Sequence, residues 1–202
     1  MTEADCTLAA DMARKPNGPR GALLHWLQVQ HEAQVLGRVV DNPWNLFVLG
    51  FFSSRCKELK ISCKCCSPGW GGFYQGDSGE LTMCYNAISI DSFTLVLTHE
   101  LTHAWQWCGG WNLHDCRTEA CAEAVAYRAM HGCQPGVGVG WNRNNGQETE
   151  DQCISRNVDT SVAGIGCTEP GWGAWAIAQP QCSGTPEWWG GGPMVPPGAT
   201  PA

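Results

Sequence analysis

The chain has 202 residues, enough for one ordinary domain, and 43% of them are hydrophobic, so wholesale disorder is excluded. Twelve Lys and Arg against nineteen Asp and Glu give a net charge of -7, which argues against a broad basic face for nucleic acid. Thirteen Cys and eleven Trp are the unusual counts. That much cysteine points to an oxidising compartment or to metal, and the odd number leaves at least one thiol outside any intrachain disulfide.

The opening residues, Met1-Thr-Glu-Ala-Asp-Cys6, read as neither a secretory signal nor an Arg-rich transit peptide. Residues 1–18 are expected to be a flexible arm, 19–183 a single domain, and 184–202 a Gly/Pro-rich tail. The longest apolar runs fall far short of the roughly 20 residues that span a bilayer.

Taken in chain order, Leu24, Leu27, His31, Val35 and Val39 recur at helical spacing over Arg20–Val40. After Asp41-Asn42-Pro43, the residues Trp44, Phe47, Val48, Phe51 and Phe52 form one apolar helical face, read as core. The period then changes to that of strands. Leu59–Cys63 alternates, Gly72–Gln75 is a short strand, and Glu80–Tyr85 is another, with Gly76–Gly79 as the hairpin loop. Asp91 or Ser92 is expected to cap a helix running to about Cys108. Further helices are expected over Cys116–His131 and Glu148–Ile165, with a Gly-rich loop at 135–146 between them. The fold class is α+β, mostly helical, with a small mixed or antiparallel sheet before the long helix.

The string Thr98-His99-Glu100-Leu101-Thr102-His103 is an H-E-x-x-H. Residues four apart on a helix leave the same face, so both imidazoles can take two corners of a tetrahedral zinc ion. Glu100 sits beside that face, where a general base can reach a water without being a ligand. Apolar neighbours (Phe93, Leu95, Val96 and Leu97 before, Trp105 and Trp107 after) bury this helix, and two His and a Glu are costly there without a task. A zinc hydrolase needs a third protein ligand. Glu123, twenty residues after His103, has the spacing of peptidases whose third ligand is Glu, while Gly109 stands where a metzincin would have His. Glu119, one turn earlier, is the rival ligand or a partner for a ligand imidazole, and His114 and Asp115 are the remaining alternatives. His25, His31 and His131 have no partner visible in the sequence.

The stretch Leu97–Cys108, then Trp111-Asn112-Leu113, then Ala120-Cys121-Ala122-Glu123 with Cys133 ten residues on, resembles the mitochondrial intermembrane-space metalloproteases that mature subunit 6 of the F-type ATP synthase. Cys63-Lys-Cys-Cys66, Gly71-Gly-Phe73 and Met83-Cys84-Tyr85-Asn86 are similar to the upstream strand region of that family. Asp151–Cys153, Thr160–Ala163, Cys167 and Cys182 are similar to its C-terminal part, so the resemblance spans about residues 43–187. It implies a zincin-like, disulfide-rich zinc metalloendopeptidase. His99, His103 and Glu123 would hold Zn2+ and Glu100 would be the catalytic base. It further implies a monomer in the intermembrane space, peripheral to the inner membrane, that takes an ATP synthase subunit precursor as peptide substrate and assists ATP synthase assembly.

Two positions depart from the family pattern: Gln106 stands where an acidic residue is usual, and Val125 where Arg is usual. These departures keep a non-proteolytic assembly chaperone on the same scaffold as an alternative. A secreted, disulfide-rich metalloprotease is another. Arg128 is a candidate substitute for the missing Arg. Tyr127 and Arg128 are candidate oxyanion partners, beside the metal or a backbone N–H. Ten cysteines fit the family series as an even set for disulfides: Cys56, Cys63, Cys66, Cys84, Cys108, Cys121, Cys133, Cys153, Cys167 and Cys182. Cys6, Cys65 and Cys116 are the extras, and a structural zinc at Cys63, Cys65, Cys66 and Cys84 is the lesser reading. The strand at 80–86 is expected to offer an edge to an extended substrate.

Overall fold

A computed structural model describes residues 1–13, 57, 59–133 and 148–183. The helices expected over 20–40 and 43–52, the Gly-rich loop, Cys56 and the tail lie outside the described residues. The chain divides into two compact units, Met1–Gly110 and Trp111–Ala202.

The first unit begins with α1, Glu3–Ala13, within the stretch expected to be a loose arm. Thr2 and Asp5 cap it reciprocally: the Asp5 N–H donates to Thr2 Oγ1 at 3.1 Å and the Thr2 N–H donates to Asp5 Oδ2 at 3.1 Å. Cys6, fully buried, joins Cys63 in a disulfide that ties α1 to the sheet. The sheet has three strands, β1 (Lys60–Lys64), β2 (Gly72–Gln75) and β3 (Glu80–Cys84), in the order β1-β3-β2. β3 runs parallel to β1, with Ile61 opposite Leu81, and antiparallel to β2, with Phe73 opposite Thr82. The sheet is therefore mixed, as expected, but β3 is its centre and not an edge. Both sides of β3 are already hydrogen-bonded, so it has no free ladder to give a substrate. β2 and β1 are the edges among the described residues.

Side chains alternate along strands, so Ile61, Cys63, Leu81, Met83, Gly72 and Tyr74 share one face of this sheet. That face carries α1 and the long helix α2, Ile90–Cys108. Ser89, rather than Asp91 or Ser92, is the N-cap of α2. The Ser92 N–H donates to Ser89 Oγ at 3.2 Å, and the Ser89 N–H donates to Ser92 Oγ at 2.9 Å, a capping box that starts the helix two positions ahead of a cap at Asp91. On the other face, Glu80 accepts from Ser62 Oγ at 2.8 Å and pairs with Lys64 at 2.6 Å. Cys66 and Cys84 are joined, so the structural-zinc reading of these cysteines does not hold.

The second unit is helical among its described residues. α3 (Cys116–Ala129) is capped by Asp115, which accepts the Thr118 N–H at 2.9 Å. α4 spans Glu150–Gly164, with a Thr149/Gln152 capping box. Two short helices that the sequence reading did not contain follow: α5, Trp172–Ala178, and α6, Pro180–Ser183. α5 packs so closely on α4 that a side chain at Gly173 would collide with the Ser155 carbonyl. Three disulfides, Cys116–Cys167, Cys121–Cys182 and Cys133–Cys153, close this unit. Cys6 and Cys116 are thus paired, contrary to their reading as extras, because each sits on a helix facing a family cysteine. Cys65 is free and exposed. Among the described residues no helix is long and apolar enough to cross a membrane.

Candidate metal centre and active site

α2 is buried at every position from Val96 to Ala104, so His99, Glu100 and His103 lie in the interior. The i, i+4 spacing does what helix geometry requires: the two imidazole Nε2 atoms stand 3.1 Å apart, with the rings edge to face. Two nitrogens bound to one tetrahedral metal at about 2.0–2.1 Å are roughly 3.3–3.4 Å apart, so the pair is set close to a ligand spacing.

The His103 ring is held from behind. Its Nδ1 is 2.9 Å from Gln106 Oε1, and Gln106 is fully buried. An amide oxygen only accepts, so Nδ1 carries the proton and Nε2 presents its lone pair. This is the orientation that a metal-binding imidazole needs from its supporting residue. Gln106 thereby performs, without charge, the service expected of the usual acidic residue at that position.

Glu100 lies one residue from His99 and reaches the sheet. A Cβ added at Gly72 would come within 3.1 Å of both Glu100 Cγ and Val96 Cγ1, and 3.0 Å of the Thr82 carbonyl. The absence of a side chain there lets β2 lie close on Glu100 without displacing its neighbours. Further along β2, a Cβ at Gly76 would collide with the Trp107 ring. Tyr74 lies between these two points, on the Gly72 face. Its phenol oxygen is buried without a hydrogen-bond partner, and burial pushes its pKa up to about 12.

In the second unit, Glu123 is buried on α3, as is Glu119 one turn before it. His99, His103 and Glu123 are each buried and each offers one ligand atom of a kind that could bind a metal. Asp115 is the cap of α3 and His114 is an exposed loop residue, so these two alternatives are not metal-site residues. Val125 is fully buried in apolar packing on α3. Arg128 pairs with Asp151 of α4 at 2.9 Å, and Tyr127 Oη lies 2.9 Å from Ser161 Oγ. Tyr127 therefore already has a structural partner, whereas Arg128 is paired through Nη2 and keeps its buried Nη1 without a hydrogen-bond partner. His131 has a left-handed backbone, φ 57°.

The Peptidase M76 family matches residues 47–170, more than half of the chain and the whole H-E-x-x-H region. The chain belongs to the Peptidase M76 family. The match ends before Cys182, at the far end of the expected resemblance. No curated protein and no solved structure matches the chain. M76 membership supports a peptidase, and a peptidase implies a protein or peptide substrate.

Proposed function

We propose that the protein is a zincin-like zinc endopeptidase in which His99, His103 and Glu123 hold one Zn2+ and Glu100 is the general base. The observation that carries this reading is the buried His99–His103 pair at 3.1 Å, with its Gln106 support, in a chain of a peptidase family. When bound, the metal supplies Lewis acidity that polarises a peptide carbonyl and acidifies water. Glu100 takes the proton of the attacking water and passes it to the leaving amine. Gln106 keeps the His103 tautomer fixed throughout.

In an antiparallel pair, alternate residues turn their N–H and C=O groups outward. Cys84 bonds to the Gly71 carbonyl, so Gly72 and Tyr74 are the residues of β2 with outward backbone groups. An extended substrate pairing there would pass the base, by strand addition. Backbone N-methylation of a cleaved peptide at the paired positions should then suppress cleavage; undiminished turnover would rule the pairing out.

The resemblance to the intermembrane-space metalloproteases supports that compartment, peripheral to the inner membrane. It also supports an ATP synthase subunit 6 precursor as substrate, a role in ATP synthase assembly and a monomeric state. The decisive experiment compares wild type with Glu100→Gln for zinc content and precursor cleavage. We expect zinc in both and a loss of about 10²–10⁴-fold in cleavage in the variant only. Equal cleavage by both proteins would remove the peptidase reading and leave the assembly-chaperone role.

A further inference from the structure

The outward backbone groups of the β2 edge belong to Gly72 and Tyr74. Phe73 lies between them, opposite Thr82, with its own N–H and C=O turned in to β3. A strand added antiparallel at this edge bonds at Gly72 and Tyr74 and meets Phe73 at a non-hydrogen-bonded position. There the opposed Cα atoms are about 4.5 Å apart and the side chains come closest. Cross-strand neighbours leave a sheet on the same face. The added residue opposite Phe73 therefore projects beside the Phe73 ring, on the face away from α2. Its neighbour in sequence, opposite Gly72, passes where β2 meets Glu100.

Phe73 carries a second aromatic ring. Trp70 packs edge to face on it, with the centroids 6.2 Å apart, and is still 38% exposed. Exposure on this face rises toward the free edge: Thr82 on β3 is fully buried, and Phe73 on β2 is half-buried. Covering an exposed indole with apolar surface is favourable, and aromatic rings pair well with aromatic and β-branched side chains across strands. Gln75, two residues on, shares the Phe73 face but is polar and exposed. The aromatic surface therefore matches one residue of an added strand and not a run of them.

We propose that Trp70 and Phe73 form a specificity subsite for the peptide substrate: together they take one large apolar side chain, that of the residue next in sequence to the one paired with Gly72. This rests on the peptidase reading above and on strand addition at β2. The backbone bonds at Gly72 and Tyr74 hold any extended peptide alike, because they involve no side chain. Selection among peptides then falls to the side chain that meets the two rings. An aromatic or branched aliphatic residue covers the indole there, whereas alanine leaves it wet and aspartate loses its own hydration.

The test is Trp70→Ala in the full chain, compared with wild type on quenched-fluorescent peptides in which Phe, Ala or Asp is placed in turn at each position around the scissile bond. We expect wild type to favour Phe over Ala about 10-fold in kcat/KM at one position. Trp70→Ala should bring that ratio close to unity and leave the preferences at other positions as they are. Trp70→Phe, which keeps a ring on Phe73, should restore most of the ratio. Zinc content should match wild type in both variants. A ratio in Trp70→Ala equal to that of wild type would overturn the subsite and leave the peptidase reading intact. So would a uniform fall in kcat/KM on every peptide with the ratio kept, by showing that Trp70 only supports the sheet. Absence of a Phe-selective position in wild type would overturn it too. If wild-type protein cleaves none of the peptides, the peptidase reading fails and the subsite falls with it.

Discussion

The two helices proposed to carry the metal ligands are held by different physics. α2 lies on a three-stranded sheet, entered through a capping box and spaced from β2 by two glycines. α3 lies among helices and is fixed by sulfur: Cys116 at its start, Cys121 in its middle and Cys133 just after its end each reach a separate partner, Cys167, Cys182 and Cys153. The His pair is thus placed by local helix geometry and sheet packing, in a unit whose sheet carries the Cys6–Cys63 and Cys66–Cys84 bonds and whose long helix ends on a disulfide-bonded Cys108. The position of Glu123 depends on a helix cross-linked at Cys121, two residues away from it, and at Cys116 and Cys133 to either side. The proposed site, drawing ligands from both helices, therefore depends on the oxidised state, and most directly at α3, where Cys121 lies two residues from Glu123.

The largest test of that comparison removes a ligand from each side. His103→Ala and Glu123→Ala should each drop bound zinc from about one per chain to near none, read by native mass spectrometry. Full zinc retention in Glu123→Ala alone would take the second unit out of the site. Retention there with loss in Glu119→Ala would transfer the role to the neighbouring carboxylate.

Next comes the sulfur itself. Cys121–Cys182 closes 61 residues and Cys66–Cys84 only 18. Chain-entropy arithmetic makes the first worth about 4 kcal/mol and the second about 3 kcal/mol against the unfolded chain. Cys121→Ser/Cys182→Ser should therefore cost more stability in denaturant unfolding than Cys66→Ser/Cys84→Ser, and should weaken zinc binding as well. Equal zinc affinity in the two double variants would show that α3 does not need its staples to present Glu123.

Smaller again is the effect of the support behind His103. Gln106→Leu removes the acceptor for Nδ1–H and should weaken zinc binding about 10–100-fold, while Gln106→Glu should keep or raise it. Unchanged affinity in Gln106→Leu would mean that α2 alone orients the ring.

What the sequence displayed follows the same division. The H-E-x-x-H pair was legible because both imidazoles depend only on 3.6 residues per turn. The three strands and the helices α2, α3 and α4 were legible from their periods, including β2 to the residue. Much else depended on contacts distant in sequence. A parallel β1–β3 pair cannot be read when β2 lies in the crossover, so β3 looked like an edge. α1 has no strong apolar stripe; its anchor is the Cys6–Cys63 bond, and pairings are not written in spacing. α5 is short and opens on Gly171 in a left-handed conformation, φ 93°, a turn signal that hides a helix. Gln106 read as a departure from the family pattern; only its 2.9 Å contact shows it as a replacement.

The smallest effect separates the two units by pH. In the second unit, burial holds the His131 pKa below the usual 6.5 of imidazole, offset in part by Glu150. The unfolded chain therefore takes up that proton first. The stability contributed is present above about pH 6.5 and is lost as pH falls through the lower folded value. In the first unit, hydrogen bonds from Lys64 and Ser62 hold Glu80 below its usual 4.5, so its contribution is present above about pH 4.5 and is lost only in stronger acid. Hydrogen exchange between pH 7 and 5 should accordingly show α3 and the start of α4 loosening while β1–β3 stay protected. His131→Asn should abolish that early loosening and, because Asn accepts a left-handed backbone more readily, raise stability by about 0.5 kcal/mol. Glu80→Gln should leave the early window as it is and flatten the later one. Simultaneous loosening of both units in wild type would show that they unfold as one cooperative body, and the distinction drawn between a sheet-held and a sulfur-held helix would then apply to how the site is assembled but not to how it is lost.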